Sequence, residues 1–93
     1  MEKLEDLIER FCTEEDIDLG SIDRPGNGAI FVTLEWFRGK PALDIREYFL
    51  PDGEEEMRPT KKGVKITTSK VGEFAAMVLT AAKIIEGVED DES

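Results

Sequence analysis

The sequence contains no histidine and a single cysteine, Cys12. An intrachain disulfide is therefore excluded, as are zinc sites built from Cys and His and any Ser-His or Cys-His catalytic pair. Basic residues are also scarce: 12 Lys and Arg stand against 22 Asp and Glu, a formal net charge of -10. No apolar run approaches the ~18 residues of a membrane span. The first residues, MEKLEDLIERF, lack the apolar stretch of a signal peptide. The expectation is an intracellular protein with no membrane partner, in the cytoplasm or nucleoid of a prokaryote or the nucleus of a eukaryote. Ninety-three residues make one domain at most, with a core that is marginal without added burial. Neither a disulfide nor a Cys/His metal site can add it, so a second subunit is the expected source. No cofactor is implied.

The charge that is present is unevenly placed. Residues 1–28 hold nine acids and three bases, and residues 74–93 hold five acids and one base. Residues 29–73 hold eight of each, which is two-thirds of all the basic residues. The acidity belongs to the ends, and the neutral middle collects the cations.

Along the chain, Leu4, Leu7, Ile8 and Phe11 recur at i, i+3, i+4 and i+7, which predicts a short amphipathic helix. The following TEEDIDLGSIDRPGNG reads as a loop or linker from its Asp, Gly, Pro and Asn content. AIFVTLEW alternates as a half-buried strand, with Ile30, Val32, Leu34 and Trp36 on one face and Phe31, Thr33, Glu35 and Phe37 on the other. Arg38-Gly39 fits a two-residue hairpin loop. Such a loop pairs Phe37 with Lys40, Leu34 with Leu43 and Val32 with Ile45, and it sets Glu35 against Ala42, Thr33 against Asp44 and Phe31 against Arg46. Apolar residues then meet on one face, and a one-residue slip would scramble them. The other face stays open and carries Phe31, Phe37, Lys40 and Arg46. Pro41 lacks a backbone donor and is expected at a strand start or a non-bonding position.

MRP reads as a short strand before a Lys61-Lys62-Gly63 turn, and GVKIT as a last strand with Val64 and Ile66 inward and Lys65 outward. A long helix follows. Its stripe of Val71, Phe74, Ala75, Val78, Leu79, Ala82 and Ile85 is wider than one small sheet can cover, which makes it the candidate homodimer interface. Gly87 is read as a C-cap, and residues 87–93 as an acidic disordered tail. The pattern is helix, loop, four strands, helix: an α+β fold with an antiparallel sheet. The expected division is residues 1–28 as helix and linker, 29–86 as the domain, and 87–93 as the tail.

Phe37, Gly39 and Lys40, then DIREY at 44–48 with Phe49 next, then Met57, Arg58, Pro59, Lys61, Lys62 and Gly63, form a spaced set of motifs. Over about residues 29–86 the chain resembles the transcriptional coactivator family of positive cofactor four, which binds single-stranded DNA. The resemblance implies a four-stranded curved antiparallel sheet and one C-terminal helix, paired through the helices into a homodimer. It implies hairpin channels for single-stranded DNA or melted duplex, with Phe37, Arg38, Lys40, Arg46, Phe49, Arg58, Lys61 and Lys62 as the binding residues. The chain departs from the family in several places. Two extra acids lie within Glu54-Glu55-Glu56, and Ile30 and Glu35 stand where basic residues are usual. Phe49 replaces a tryptophan, and strict alternation places it on the core face with Leu43 and Ile45.

The function expected is largely sequence-independent single-stranded DNA binding in transcription regulation, replication or repair, with transcription or replication proteins as further partners. The alternative is a protein-interaction adaptor that uses the acidic surface. An enzyme is not expected: Asp44 and Glu47, the nearest approach to a metal-binding pair, point to opposite faces of one strand. The cations also have a plain reading as solubilising charges balanced by Asp44 and Glu47. Trp36 reads as core and Cys12 as a small buried apolar residue.

Overall fold

The computed structural model describes residues 2–92, with side chains described as far as Val88. Its elements are α1 (Leu4–Cys12), β1 (Ile17–Arg24), β2 (Gly28–Phe37), β3 (Lys40–Phe49), β4 (Arg58–Thr67) and α2 (Thr68–Glu92). The four strands form one antiparallel sheet in the order β1-β2-β3-β4, each paired with its neighbour in sequence.

α1 forms where the apolar spacing places it. Glu5 and Asp6 in its first turn and Arg10 in its last match the helix dipole. Its end is closed by the Thr13 and Glu14 amides, which donate to the Arg10 and Phe11 carbonyls at 3.2 and 3.0 Å. The helix rests on the sheet through Phe11, whose ring lies 5.0 Å from that of Trp36. Cys12 is exposed, contrary to the buried position expected of it.

The segment read as a linker is a strand. β1 pairs with β2 from Ile17 opposite Leu34 to Arg24 opposite Gly28. Its register shifts between Asp18 and Gly20, where Gly20 adopts φ 143° and its amide donates to the Asp18 carboxylate at 3.0 Å. This bulge breaks the period-two pattern, so Ile17 and Ile22, five residues apart, reach the same face opposite Leu34 and Ile30. Just before the strand, the Asp16 carboxylate accepts the Trp36 amide at 2.8 Å and extends the ladder by one rung. The boundary expected after residue 28 falls after the first residue of β2, a strand that pairs with β1.

The β2–β3 hairpin has the register that the apolar pattern requires, from Phe37 opposite Lys40 to Gly28 opposite Phe49. Arg38 and Gly39 have φ of 53° and 77°, the two positive values of a type I′ turn. Pro41 sits opposite Trp36, one residue before β3 begins to pair with β4 at Ala42. Its missing amide thus costs no rung. Met57 lies before the strand, and Arg58-Pro59 and GVKIT are not separate strands around a turn. They are one strand, β4, with a register shift that sets Thr60, Lys61 and Lys62 opposite Glu47. The Thr60 hydroxyl holds this bulge by donating to the Glu47 carbonyl at 2.8 Å and accepting the Lys62 amide at 3.0 Å.

The apolar face of the sheet carries Ile17, Val32, Leu34, Leu43, Ile45 and Ile66, with Ile17 and Leu43 buried. α2 does not fold back over it fully. Val71 and Phe74 are half-buried, while Ala75, Val78, Leu79, Ala82 and Ile85 are exposed, together with Met77, Ile84 and Val88. The radius of gyration, 15.9 Å, exceeds the ~12 Å of a compact chain of this length. The helix also continues through Gly87 to Glu92. Gly87 is therefore not a C-cap, and the segment read as a disordered tail extends the helix, with Ser93 outside the described residues.

Candidate nucleic-acid interface

Side chains alternate across a strand, so the register of the hairpin decides what its open face displays. β2 contributes Phe31, Thr33, Glu35 and Phe37; β3 contributes Lys40, Ala42, Asp44, Arg46 and Tyr48; β4 contributes Pro59, Gly63, Lys65 and Thr67. Three kinds of group result: an exposed tip, a charged ladder across the middle, and an aromatic pair beyond it.

At the tip Phe37 is 49 % exposed. The Arg38 guanidinium lies 5.1 Å from its ring centroid and the Lys65 ammonium 5.2 Å, both within cation–π range. Arg38 and Lys40 are exposed, and neither has an ion-pair partner among the described residues. The arrangement is an exposed aromatic ring with two cations over it at the end of the hairpin.

The middle is different. Asp44 has a side chain only 8 % exposed, and Arg46 grips it with two nitrogens, at 2.9 and 3.2 Å. A third Arg46 nitrogen donates to the Thr60 carbonyl at 3.0 Å. Gly63 makes room for this: a Cβ there would lie 2.8 Å from the Arg46 guanidinium carbon and 2.8 Å from the Ile45 carbonyl oxygen. Lys65 reaches Asp44 at 3.3 Å and also pairs with Glu35. Burial works against ionisation of Asp44, but the hydrogen bonds from Arg46 and Lys65 outweigh it and hold the carboxyl below its ordinary value. The hydrogen bond to Asp44 raises the pKa of Arg46, and the hydrogen bond to Glu35 raises that of Lys65. Arg46, read as a phosphate contact, thus makes a hydrogen bond within the protein from each of its three nitrogens. Beyond the ladder Phe31 and Tyr48 pack ring to ring at 4.4 Å.

The remaining expected residues are dispersed. Phe49 is 42 % exposed but lies on the face opposite Phe37, between Gly28 and Arg58, as strict alternation dictates. Lys40 and Phe49 are the two ends of one ten-residue strand, about 30 Å apart at ~3.3 Å per residue. Arg58 is exposed and bound to the Glu54 carboxylate at 2.6 and 2.8 Å. Lys61 and Lys62 are exposed on the β4 bulge and have no ion-pair partner among the described residues. Lys65 was absent from the expected set although its position opposite Asp44 follows from the strand pattern. Glu47 pairs with Arg24 at 3.1 Å, on the face away from Asp44. Among the described residues no group of three acids or thiols is arranged to hold a metal ion, and no helix is long and apolar enough to cross a membrane.

A family model for Transcriptional Coactivator p15 (PC4) matches residues 27–77, more than half of the chain. That span takes in β2, β3, β4 and the first turns of α2, and leaves α1 and β1 outside. The chain is 47 % identical over 36 residues to the RNA polymerase II transcriptional coactivator SUB1 of Saccharomyces cerevisiae, covering 39 % of this chain and 12 % of the relative. It is 42 % identical over 43 residues to the RNA polymerase II transcriptional coactivator KELP of Arabidopsis thaliana, covering 46 % of this chain and 25 % of the relative. The matched region is thus a quarter or less of the length of these relatives. A PC4 homologue from Burkholderia pseudomallei, solved in two crystal forms, superposes with a TM-score of 0.62 in each. It is 20 % identical over 70 % of this chain and 86 % of its own in the orthorhombic form, and 19 % over 73 % and 98 % in the tetragonal form. At that identity the likeness is one of fold.

Proposed function

This chain belongs to the Transcriptional Coactivator p15 (PC4) family, and from that premise we propose that it binds single-stranded DNA, with little sequence preference, as a homodimer. The observation that carries the reading is the hairpin tip: an exposed Phe37 with Arg38 and Lys65 against its ring and Lys40 beside it. An aromatic face stacks on any unpaired base for ~1–3 kcal/mol, whatever the base. Duplex DNA keeps its bases inside, so stacking selects single strands or melted regions. Arg38, Lys40, Lys61 and Lys62 neutralise phosphates and release counterions. Arg46 and Lys65 take a second part, bracing the sheet face while paired to Asp44 and Glu35. The protein acts by binding and not by catalysis, in transcription and, through the same preference for open strands, in replication or repair.

Dimerisation is supported by α2, whose apolar residues from Val78 to Val88 stand in solvent in the single chain. A patch of this kind on a stable helix is normally covered. Pairing two copies through α2 would set two hairpins on one particle and lengthen the track for a strand.

The deciding experiment titrates a labelled oligonucleotide, single-stranded and then duplex, at low and moderate salt. Single strands are expected to bind more tightly, with a log–log salt slope of about -0.7 per phosphate contact. Absence of binding at low salt, or equal binding of duplex, would overturn the reading. Sedimentation is expected to give twice the 10.5 kDa chain mass.

A further inference from the structure

α1 covers the start of β1 incompletely. Between them lies a cleft of about 180 Å³ with an almost wholly apolar wall, lined by Leu4, Ile8, Phe11, Ile17, Leu19 and Leu34 among others. Its outer residues are open to solvent: Leu4 is 72 %, Ile8 54 % and Leu19 51 % exposed. Sites that hold small molecules usually span ~300–1,000 Å³. This one is smaller and takes one or two apolar side chains, which is the size of an anchor in helix-in-groove recognition.

The charge of the segment that carries the cleft sets the chemistry of the partner. Residues 1–28 hold nine acids and three bases. Of the bases, Arg10 is already bound to Glu2 and to Glu15, and Arg24 to Glu47. Glu5, Asp6, Glu9 and Glu14 are exposed and have no ion-pair partner among the described residues. An apolar slot in an acidic field repels nucleic acid. It also disfavours a second copy of this chain, whose net charge is -10 and whose own apolar helix ends in the acidic run Glu89 to Glu92. What fits is a helix with one apolar stripe flanked by basic residues. The family match begins at residue 27, so α1 and β1 lie outside it, and of the residues named at the cleft Leu34 alone falls within it.

We propose that the cleft between α1 and β1 is a docking site for a basic amphipathic helix of another protein, which sets apolar side chains between Ile8 and Leu19 and basic ones against the acids of α1. The site is separate from the hairpin tip and does not depend on DNA binding. It lets one chain hold a protein at its acidic end and leave the hairpin free.

The protein carries its own reporter. Trp36, the single tryptophan, packs against Phe11, which lines the cleft, and its indole Nε1 is buried without a hydrogen-bond partner among the described residues. Fluorescence of the intact chain is measured against a synthetic Leu/Lys peptide of about 18 residues, patterned i, i+3, i+4, i+7 and long enough to form a helix. Its controls are a scrambled peptide of the same composition and a Leu/Glu peptide of the same pattern. The patterned Leu/Lys peptide is expected to change Trp36 emission saturably, and the two controls are not. Ile8→Glu, and separately Leu19→Glu, change exposed residues, are expected to keep the parent's circular dichroism, and are each expected to weaken binding at least about tenfold. Equal binding of the scrambled peptide, or undiminished binding by both variants, would overturn the proposal. So would a fall in oligomeric state caused by Ile8→Glu, because the cleft would then belong to a second copy.

Discussion

At the tip of the β2–β3 hairpin, Arg38 and Lys40 stand in solvent beside an exposed Phe37. In the middle of the same hairpin, on the same face, Arg46 has a side chain 19 % exposed and faces a carboxylate of its own protein. The residue types are alike, and their positions along the strand are not. At the tip there is no neighbouring strand to supply an acid. In the middle, Asp44 and Glu35 are brought within reach by the two-residue period and by cross-strand pairing. A count of cations on a face therefore overstates what a ligand meets. What matters is how many of them the fold leaves unpaired.

Mutation should separate the two regions. In the middle, both faces of β3 are structural. Leu43→Ala, on the buried side, is expected to cost about 2–5 kcal/mol of stability. Arg46→Ala leaves Asp44 with Lys65 as its remaining partner and is expected to cost about 1–3 kcal/mol. Chemical denaturation measures both. Equal stability of Arg46→Ala and the parent would mean that the ladder is decorative and that Arg46 is as available as Arg38.

At the tip the expected pattern reverses. Phe37→Ala should leave the melting temperature almost unchanged and weaken single-strand binding by ~1–3 kcal/mol. Its salt slope should stay that of the parent, because no charge is lost. The preference for single strands over duplex should narrow. A Phe37→Ala protein that melts earlier but binds normally would assign the ring to the fold and not to DNA.

Much of this contrast was legible before any coordinates. The hairpin register follows from which apolar residues must meet, and it fixes the open face, Asp44 and Arg46 included. That Asp44 and Arg46, two apart on one strand, share a face and therefore pair was equally readable, yet Arg46 reads as a free cation when cations are counted alone. β1 was hidden for a local reason. The bulge at Asp18–Gly20 shifts the phase of Ile17 and Ile22 and leaves a run rich in Asp and Gly that looks like a loop. The bulge at Thr60–Lys62 likewise presents a Lys-Lys-Gly sequence that imitates a turn. Both are places where one strand carries more residues than its partner, which no period-two reading registers. The cleft under α1 was out of reach, since it depends on how two segments meet.

The ladder also has a pH signature. The pKa of Asp44 is lowered in the folded state, so its stabilising contribution is present above the ordinary carboxylate value of about 3.9 and is lost as pH falls through the lower folded value. Stability measured from about pH 5 downward should fall, and it should fall less steeply in Asp44→Asn, which has no proton to take up at that position. Parallel curves for the two proteins would remove Asp44 from the account.

The smallest expected effect sharpens the contrast most, because it converts a middle residue into a tip residue. Lys65 sits 5.2 Å from the Phe37 ring and is held by Glu35 and Asp44 together. A phosphate arriving at Phe37 must draw Lys65 from two carboxylates. Glu35→Gln removes one of them, keeps the side-chain shape, and makes the face less negative by one charge. Exposed ion pairs are worth about 0.2–1 kcal/mol, so the gain in single-strand affinity should be no more than about fivefold. It should be largest at low salt, where unscreened charges compete most strongly. The double variant Glu35→Gln with Lys65→Ala isolates the cause. If Glu35 acts by occupying Lys65, removing Lys65 abolishes most of the gain, and the two changes are non-additive. If the gain persists without Lys65, Glu35 acts only through the general field of the face. If Glu35→Gln alone binds like the parent, Lys65 belongs to the ladder and the tip consists of Phe37, Arg38 and Lys40.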